Sequence, residues 1–249
     1  MPDPEHYIER NLASVRAELN AAERAAGREG ATVMVAAVKY AIPAEIEALL
    51  DAGVTDVGEN RVQQLLANLP LYERLGVRVH FIGSLQTNKV KYIVDRVDMI
   101  HSLDNVHLAR EIEKRAAAKG RVIDVLIEIN SGREEAKSGV LPEEAEALAS
   151  AVLPLAHLRL RGFMTMGPHC DTEDAYRAYF AETVALGRAI WQKLGLSDEP
   201  LFSMGMSESF PAAVKEGATF VRVGRRLFAG RPEPSGEQTM NDKNGDIKS

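Results

Sequence analysis

A chain of 249 residues with 45% hydrophobic and 27% charged residues has apolar material for one sizeable core. Its formal net charge of −6, with no basic stripe, argues against a nucleic-acid partner. The single cysteine, Cys170, excludes an internal disulfide framework, and no run approaches a membrane span, so a soluble, cytoplasmic, monomeric protein is expected.

The chain opens on a helix: Ile8, Leu12, Val15 and Leu19 recur at helical spacing, and Gly27 and Gly30 end it. Eight β-type runs then alternate with helical stretches. The runs are Val33–Lys39, Val54–Gly58, Arg78–Gly83, Asp98–Ser102, Val122–Asn130, Leu158–Thr165, Leu201–Met204 and Thr219–Gly224. Between them lie helical stretches at Pro43–Ala52, Arg61–Asn68, Thr87–Val94, Val106–Lys119, Pro142–Val152, Thr172–Leu194 and Phe210–Glu216. Strands alternating with helices imply a parallel sheet, and eight such units imply a closed (β/α)8 (TIM) barrel with an extra N-terminal helix over residues 1–230. An open doubly wound sheet is the competitor, but no G-x-G-x-x-G fingerprint follows the first strand. Residues 231–249 are polar, with Pro and Gly, and are expected to form a disordered tail.

In a barrel of this kind, the chemistry gathers at the C-terminal ends of the strands. Alternation in the first run puts Val33, Val35, Ala37 and Lys39 on one face, with Tyr40 turned the other way, toward the helices. A lysine on an apolar face needs its amine paired, neutralised or covalently modified, and a neutral amine attacks an aldehyde to form a Schiff base. Ser203-Met204-Gly205-Met206-Ser207 runs into a helix start, where exposed backbone N–H groups make an anion site, and Gly224 allows a second close backbone approach. Phe220, Arg222 and Gly224 share one face of the last strand, so closing the barrel is expected to set Arg222 beside Lys39. An amine, an anion-binding turn and a charged partner for a ring nitrogen are the handles of pyridoxal 5'-phosphate (PLP).

The segments Ala36–Tyr40, Gly58–Gln63, His80–Lys89, His101–Asp104, Ser203–Ser207 and Val221–Gly224 together resemble the pyridoxal phosphate homeostasis protein family. These are single-domain relatives of the alanine racemase N-terminal barrel, and the resemblance runs in order from about residue 5 to 230. It implies a PLP Schiff base on Lys39, phosphate held around Ser203, Met204, Ser207 and Gly224, Arg222 near the pyridine nitrogen, and Asn60 in the pocket. Arg225 stands where many members carry Thr or Ser, and is read as a phosphate ligand in that place.

The function so implied is a cofactor carrier and buffer without strong catalytic activity, with PLP-dependent apoenzymes as recipients. A PLP-dependent amino-acid racemase is the alternative, and a Schiff-base aldolase acting on a sugar phosphate is a third reading from the residues alone. Racemases of this arrangement use a second base from an additional domain, and no tyrosine occurs after residue 230 to supply one. His169-Cys170-Asp171 lacks the companion ligands of a metal site. Glu128 shares a face with Leu126 and Asn130, and is read either as pairing with an inward cation or as a solvated strand end. Arg133 and Lys137 lie in a polar loop, a solvated segment or a basic rim for a phosphorylated ligand.

Overall fold

The computed structural model describes residues 4–134 and 137–231. Eight parallel strands close into one barrel in sequence order: β1 (Val33–Ala37), β2 (Asp56–Glu59), β3 (Arg78–Phe81), β4 (Met99–Leu103), β5 (Ile123–Ile129), β6 (Leu158–Thr165), β7 (Leu201–Met206) and β8 (Phe220–Val223). The helices are α1 (Pro4–Ala25), α2 (Pro43–Asp51), α3 (Val62–Leu75), α4 (Val106–Ala118), α5 (Ala145–Val152), α6 (Glu173–Lys193) and α7 (Phe210–Lys215). The doubly wound competitor is excluded, because β8 pairs with β1 over Val33–Ala36.

Strand alternation separates two cores. Val35, Met99, Leu126, Met164 and Phe220 pack inside the barrel, whereas Ala36, Val57, Val79, Ile100 and Val221 face the helices in the larger outer core. In α1, Ile8, Leu12, Val15 and Leu19 are buried as their spacing predicts, and Gly27 and Gly30 adopt left-handed backbone at its end. The helix packs on α2 and α7, filling the place of a helix after β8.

Three elements differ from their sequence expectation. The stretch after β3 is a 3₁₀ helix, Thr87–Tyr92, in which Val90 is the buried residue; so short an apolar contact does not sustain a full α-helix. Helix α3 continues through Pro70 to Leu75, because Leu65, Leu69 and Tyr72 extend its buried stripe. Strand β1 stops at Ala37, and Lys39 falls in the turn closed by Ala41 N–H donating to the Val38 carbonyl (2.9 Å). Arg231 donates to the Tyr40 carbonyl (2.8 Å) and pairs with buried Glu45. The tail expected from residue 232 onward lies outside the described residues.

Candidate functional site

Lys39 sits half-buried at the C-terminal mouth, just beyond β1. Among the described residues no carboxylate pairs with it. Its Nζ lies 4.7 Å from the centroid of the Tyr40 ring, which is 69% exposed. The expectation that Tyr40 turns toward the helices is therefore corrected: the turn after Val38 breaks the strand alternation and leaves the phenol beside the amine. The adjacent Lys39 amine holds the Tyr40 phenol below its ordinary pKa. Gln64 of α3 donates to the Val38 carbonyl (2.8 Å) and steadies this turn.

Gly224 brings the other half of the mouth to Lys39. A Cβ there would lie 2.8 Å from the Ala37 carbonyl oxygen, so only glycine lets the end of β8 approach the end of β1 this closely. Across from it, the β7–β8 register slips between Ser203 and Met206, and Gly205 takes a φ of +87°. The slip turns buried Ser207 over the end of β8, where its Oγ accepts long contacts from the backbone N–H groups of Gly224 (3.4 Å) and Arg226 (3.5 Å). Backbone donors converging on one hydroxyl are the makings of an anion cradle.

The expected ligands divide sharply in this geometry. Ser203 is fully buried within the barrel, where its Oγ accepts from Arg222 Nη1 (2.7 Å) and lies 2.9 Å from His101 Nδ1, so it supports Arg222 and does not face the mouth. The Met204 side chain belongs to the outer core, leaving only its backbone on the mouth side. Arg225 is exposed and ion-paired with Glu208 (2.9 Å). Its neighbour Arg226, absent from the sequence reading, supplies the second N–H of the cradle and stacks its guanidinium over Phe210, 5.3 Å from the ring centroid. Asn60 is half-buried at the end of β2, where its backbone passes Gly83 so closely that a Cβ there would meet its carbonyl.

Arg222 also departs from expectation. It is in register with Val35, not Lys39, so the two cations do not stand side by side. Its Nη2 donates to the Thr165 carbonyl (2.9 Å) at the end of β6. Burial pulls its pKa down to about 10, and Glu128 opposes the fall. Glu128 is buried on the inner face of β5, and burial, with Asp104, pushes its carboxyl up to about 7 while Arg222 pulls it down. It is therefore not a solvated strand end, and among the described residues it makes no ion pair with Arg222.

Below Arg222 lies a polar layer that sequence reasoning did not single out. His101 Nε2 is 2.9 Å from His80 Nδ1, and His80 Nε2 is 2.9 Å from Asp56 Oδ1. Asp56 also accepts two hydrogen bonds from Arg78 (2.8 and 2.7 Å) and one from Thr55 (2.6 Å). Burial opposes ionisation of Asp56, but the bonds from His80, Arg78 and Thr55 win and hold its carboxyl far below the usual range. The signal was available: Asp56, His80 and His101 each fall on the inward face of an adjacent strand.

An amine, an N–H cradle beside it and a buried guanidinium suit a phosphorylated aldehyde. The profile of the alanine racemase N-terminal domain matches residues 10–232. A pyridoxal phosphate homeostasis protein of Aquifex aeolicus is 41% identical over 85% of this chain and 92% of its own length. The Escherichia coli K12 protein of the same name is 35% identical over 90% and 97%.

The chain belongs to the pyridoxal phosphate homeostasis protein family.

Among solved structures of similar architecture, PipY of Synechococcus elongatus with PLP bound superposes with a TM-score of 0.78 at 30% identity, over 89% of this chain and all of that one. Alanine racemase of Corynebacterium glutamicum, at 19% identity and a TM-score of 0.66, shares the fold. No helix of the described residues is long and apolar enough to cross a membrane.

Proposed function

We propose that this member of the pyridoxal phosphate homeostasis family binds PLP at the C-terminal mouth and acts as a carrier and buffer, handing the cofactor to PLP-dependent apoenzymes, without strong catalysis of its own. The observation that carries the reading is the placement of an amine, without a carboxylate partner among the described residues, against an N–H cradle, brought together by the contact of Gly224 with Ala37. When bound, PLP supplies a reactive aldehyde and an electron-withdrawing ring. Lys39 offers the nucleophilic amine, and the Ser207–Gly224–Arg226 turn takes the phosphate. Arg222 lies deeper, where its guanidinium would hold the ring side of the cofactor, and Asn60 would line the wall.

The absence of strong catalysis is supported by two features. Arg222 keeps its proton, so it does not favour a protonated ring and weakens the electron sink. Inversion also needs a second base set apart from the lysine, whereas Tyr40 stands directly beside Lys39. Exposed Tyr40, Ile42, Met166 and Met206 border the mouth, offering apolar contact to a recipient protein.

The deciding test is borohydride reduction of PLP-loaded protein followed by peptide mapping. Label is expected on Lys39, and Lys39→Ala should lose the visible absorbance while keeping its fold. Principal labelling of Lys89 or Lys137 would overturn the assignment. Incubation with L-alanine in deuterated water should leave optical rotation nearly unchanged; rapid loss would promote the racemase alternative.

A further inference from the structure

The inner layer of the barrel holds a chain of five side chains linked end to end: Arg222, Ser203, His101, His80 and Asp56. Such a chain has a direction, set by which atoms carry protons. Arg222 has only donors, so Ser203 Oγ accepts from it. The Ser203 hydroxyl proton is then available to His101 Nδ1. Burial above all pushes His101 well below the ordinary histidine value, so its ring is neutral and carries one proton. With Nδ1 accepting, that proton resides on Nε2 and is donated to His80 Nδ1. His80 donates in turn from Nε2 to Asp56, an anion pinned by Arg78 and Thr55. This single assignment satisfies every link. The reverse direction leaves Ser203 Oγ receiving two donors and its own proton without an acceptor.

We propose that Asp56, His80, His101 and Ser203 are positioning residues, forming a one-way donor relay that holds the Arg222 guanidinium in a fixed orientation toward the cofactor site. The proposal rests on the PLP reading for its purpose, and on hydrogen-bond geometry alone for its existence. Arg222 is gripped at two points, Ser203 Oγ below and the Thr165 carbonyl beside it. Its orientation is therefore set from the opposite end of the barrel, where Arg78 reaches solvent with 59% of its side chain exposed. Phe220 packs against both imidazoles, its ring centroid 5.5 Å from each, and fills the space beside them. The charged groups facing the relay are Asp56 from β2, Arg78 from β3, Glu128 from β5 and Arg222 from β8.

The first arm of the test uses cofactor-free protein with ¹⁵N-labelled histidine. Both His80 and His101 are expected to carry a ring proton on Nε2, facing Asp56 and His80 respectively, each slow to exchange. A proton on Nδ1 of either ring overturns the relay. The second arm measures PLP affinity and the pH dependence of the bound cofactor's absorbance in His101→Phe and Ser203→Ala. Both variants are expected to bind about tenfold more weakly, the scale of one lost buried hydrogen bond, and to shift the absorbance profile while reduction still labels Lys39. Ser203→Ala removes only a hydroxyl, so it reads the proposal even if His101→Phe does not fold. A merely structural role lowers thermal stability and leaves the pH profile as in wild type; that outcome rejects positioning. If wild-type protein takes up no PLP, the functional reading fails while the tautomer arm still decides the relay.

Discussion

Glu128 and Asp56 are both inward carboxylates, and their surroundings drive them in opposite directions. Glu128, raised to about 7, favours protonation in the folded state. Its stabilising protonated form is fully present below the unfolded carboxyl value and is lost as pH rises through 7. Glu128→Gln should therefore gain stability over wild type at pH 8, on the order of 2 kcal/mol, and match it near pH 4.5, measured by denaturant unfolding of cofactor-free protein at both pH values. An equal gain at both would mean that Glu128 titrates normally. Asp56, lowered by His80, Arg78 and Thr55 against the pull of burial, contributes stability above the ordinary carboxyl value that fades as pH falls. Asp56→Asn should cost roughly 2–3 kcal/mol at pH 7 and progressively less below pH 4, by the same measurement.

At the scale of elements, the mouth is built by the junction of β7, β8 and β1. Gly224→Ala places a Cβ against the Ala37 carbonyl, a backbone atom that cannot rotate aside. It is expected to weaken PLP binding by about tenfold or more, while circular dichroism stays that of a folded barrel. The cradle sorts the two arginines that follow. Ser207→Ala removes the hydroxyl at the focus of the N–H groups and should lower PLP affinity more than affinity for pyridoxal, which has no phosphate. Arg225→Ala, which loses only an exposed pair with Glu208, should leave PLP affinity within about twofold of wild type. A larger loss for Arg225→Ala than for Ser207→Ala would move the anion site outward to the rim.

For the whole molecule, the N-terminal helix is part of the barrel's closure. No α-helix follows β8 in the described residues, and α1 packs between α2 and α7 in that place. Leu12 of α1, 1% exposed, is part of the outer core. Leu12→Ala should destabilise the protein by about 2–5 kcal/mol in denaturant unfolding, with reduction still labelling Lys39 in the folded fraction. A loss below about 1 kcal/mol would make α1 an appendage rather than the closing wall.

The architecture was legible in the sequence because its cause is local. Inward and outward residues alternate along each strand, Ile8 to Leu19 follow helical spacing, and turns separate the units, so eight strands with helical stretches between them and a leading helix follow from periodicity alone. The positions of Lys39, Ser207 and Gly224 just beyond strand ends were legible for the same reason. What periodicity does not encode is register around a closed barrel. That register places Arg222 level with Val35, away from Lys39, and draws Ser203 inward to support Arg222. It also joins Asp56, His80 and His101, on separate strands, into one hydrogen-bonded line. The stagger between strands is settled by shear and side-chain packing across the whole barrel, and no single strand carries that information. The turn after Val38 and the slip around Gly205 likewise depend on contacts made only after closure, and they leave Tyr40 beside Lys39, the Arg226 N–H on Ser207 Oγ and the Arg225 side chain on Glu208.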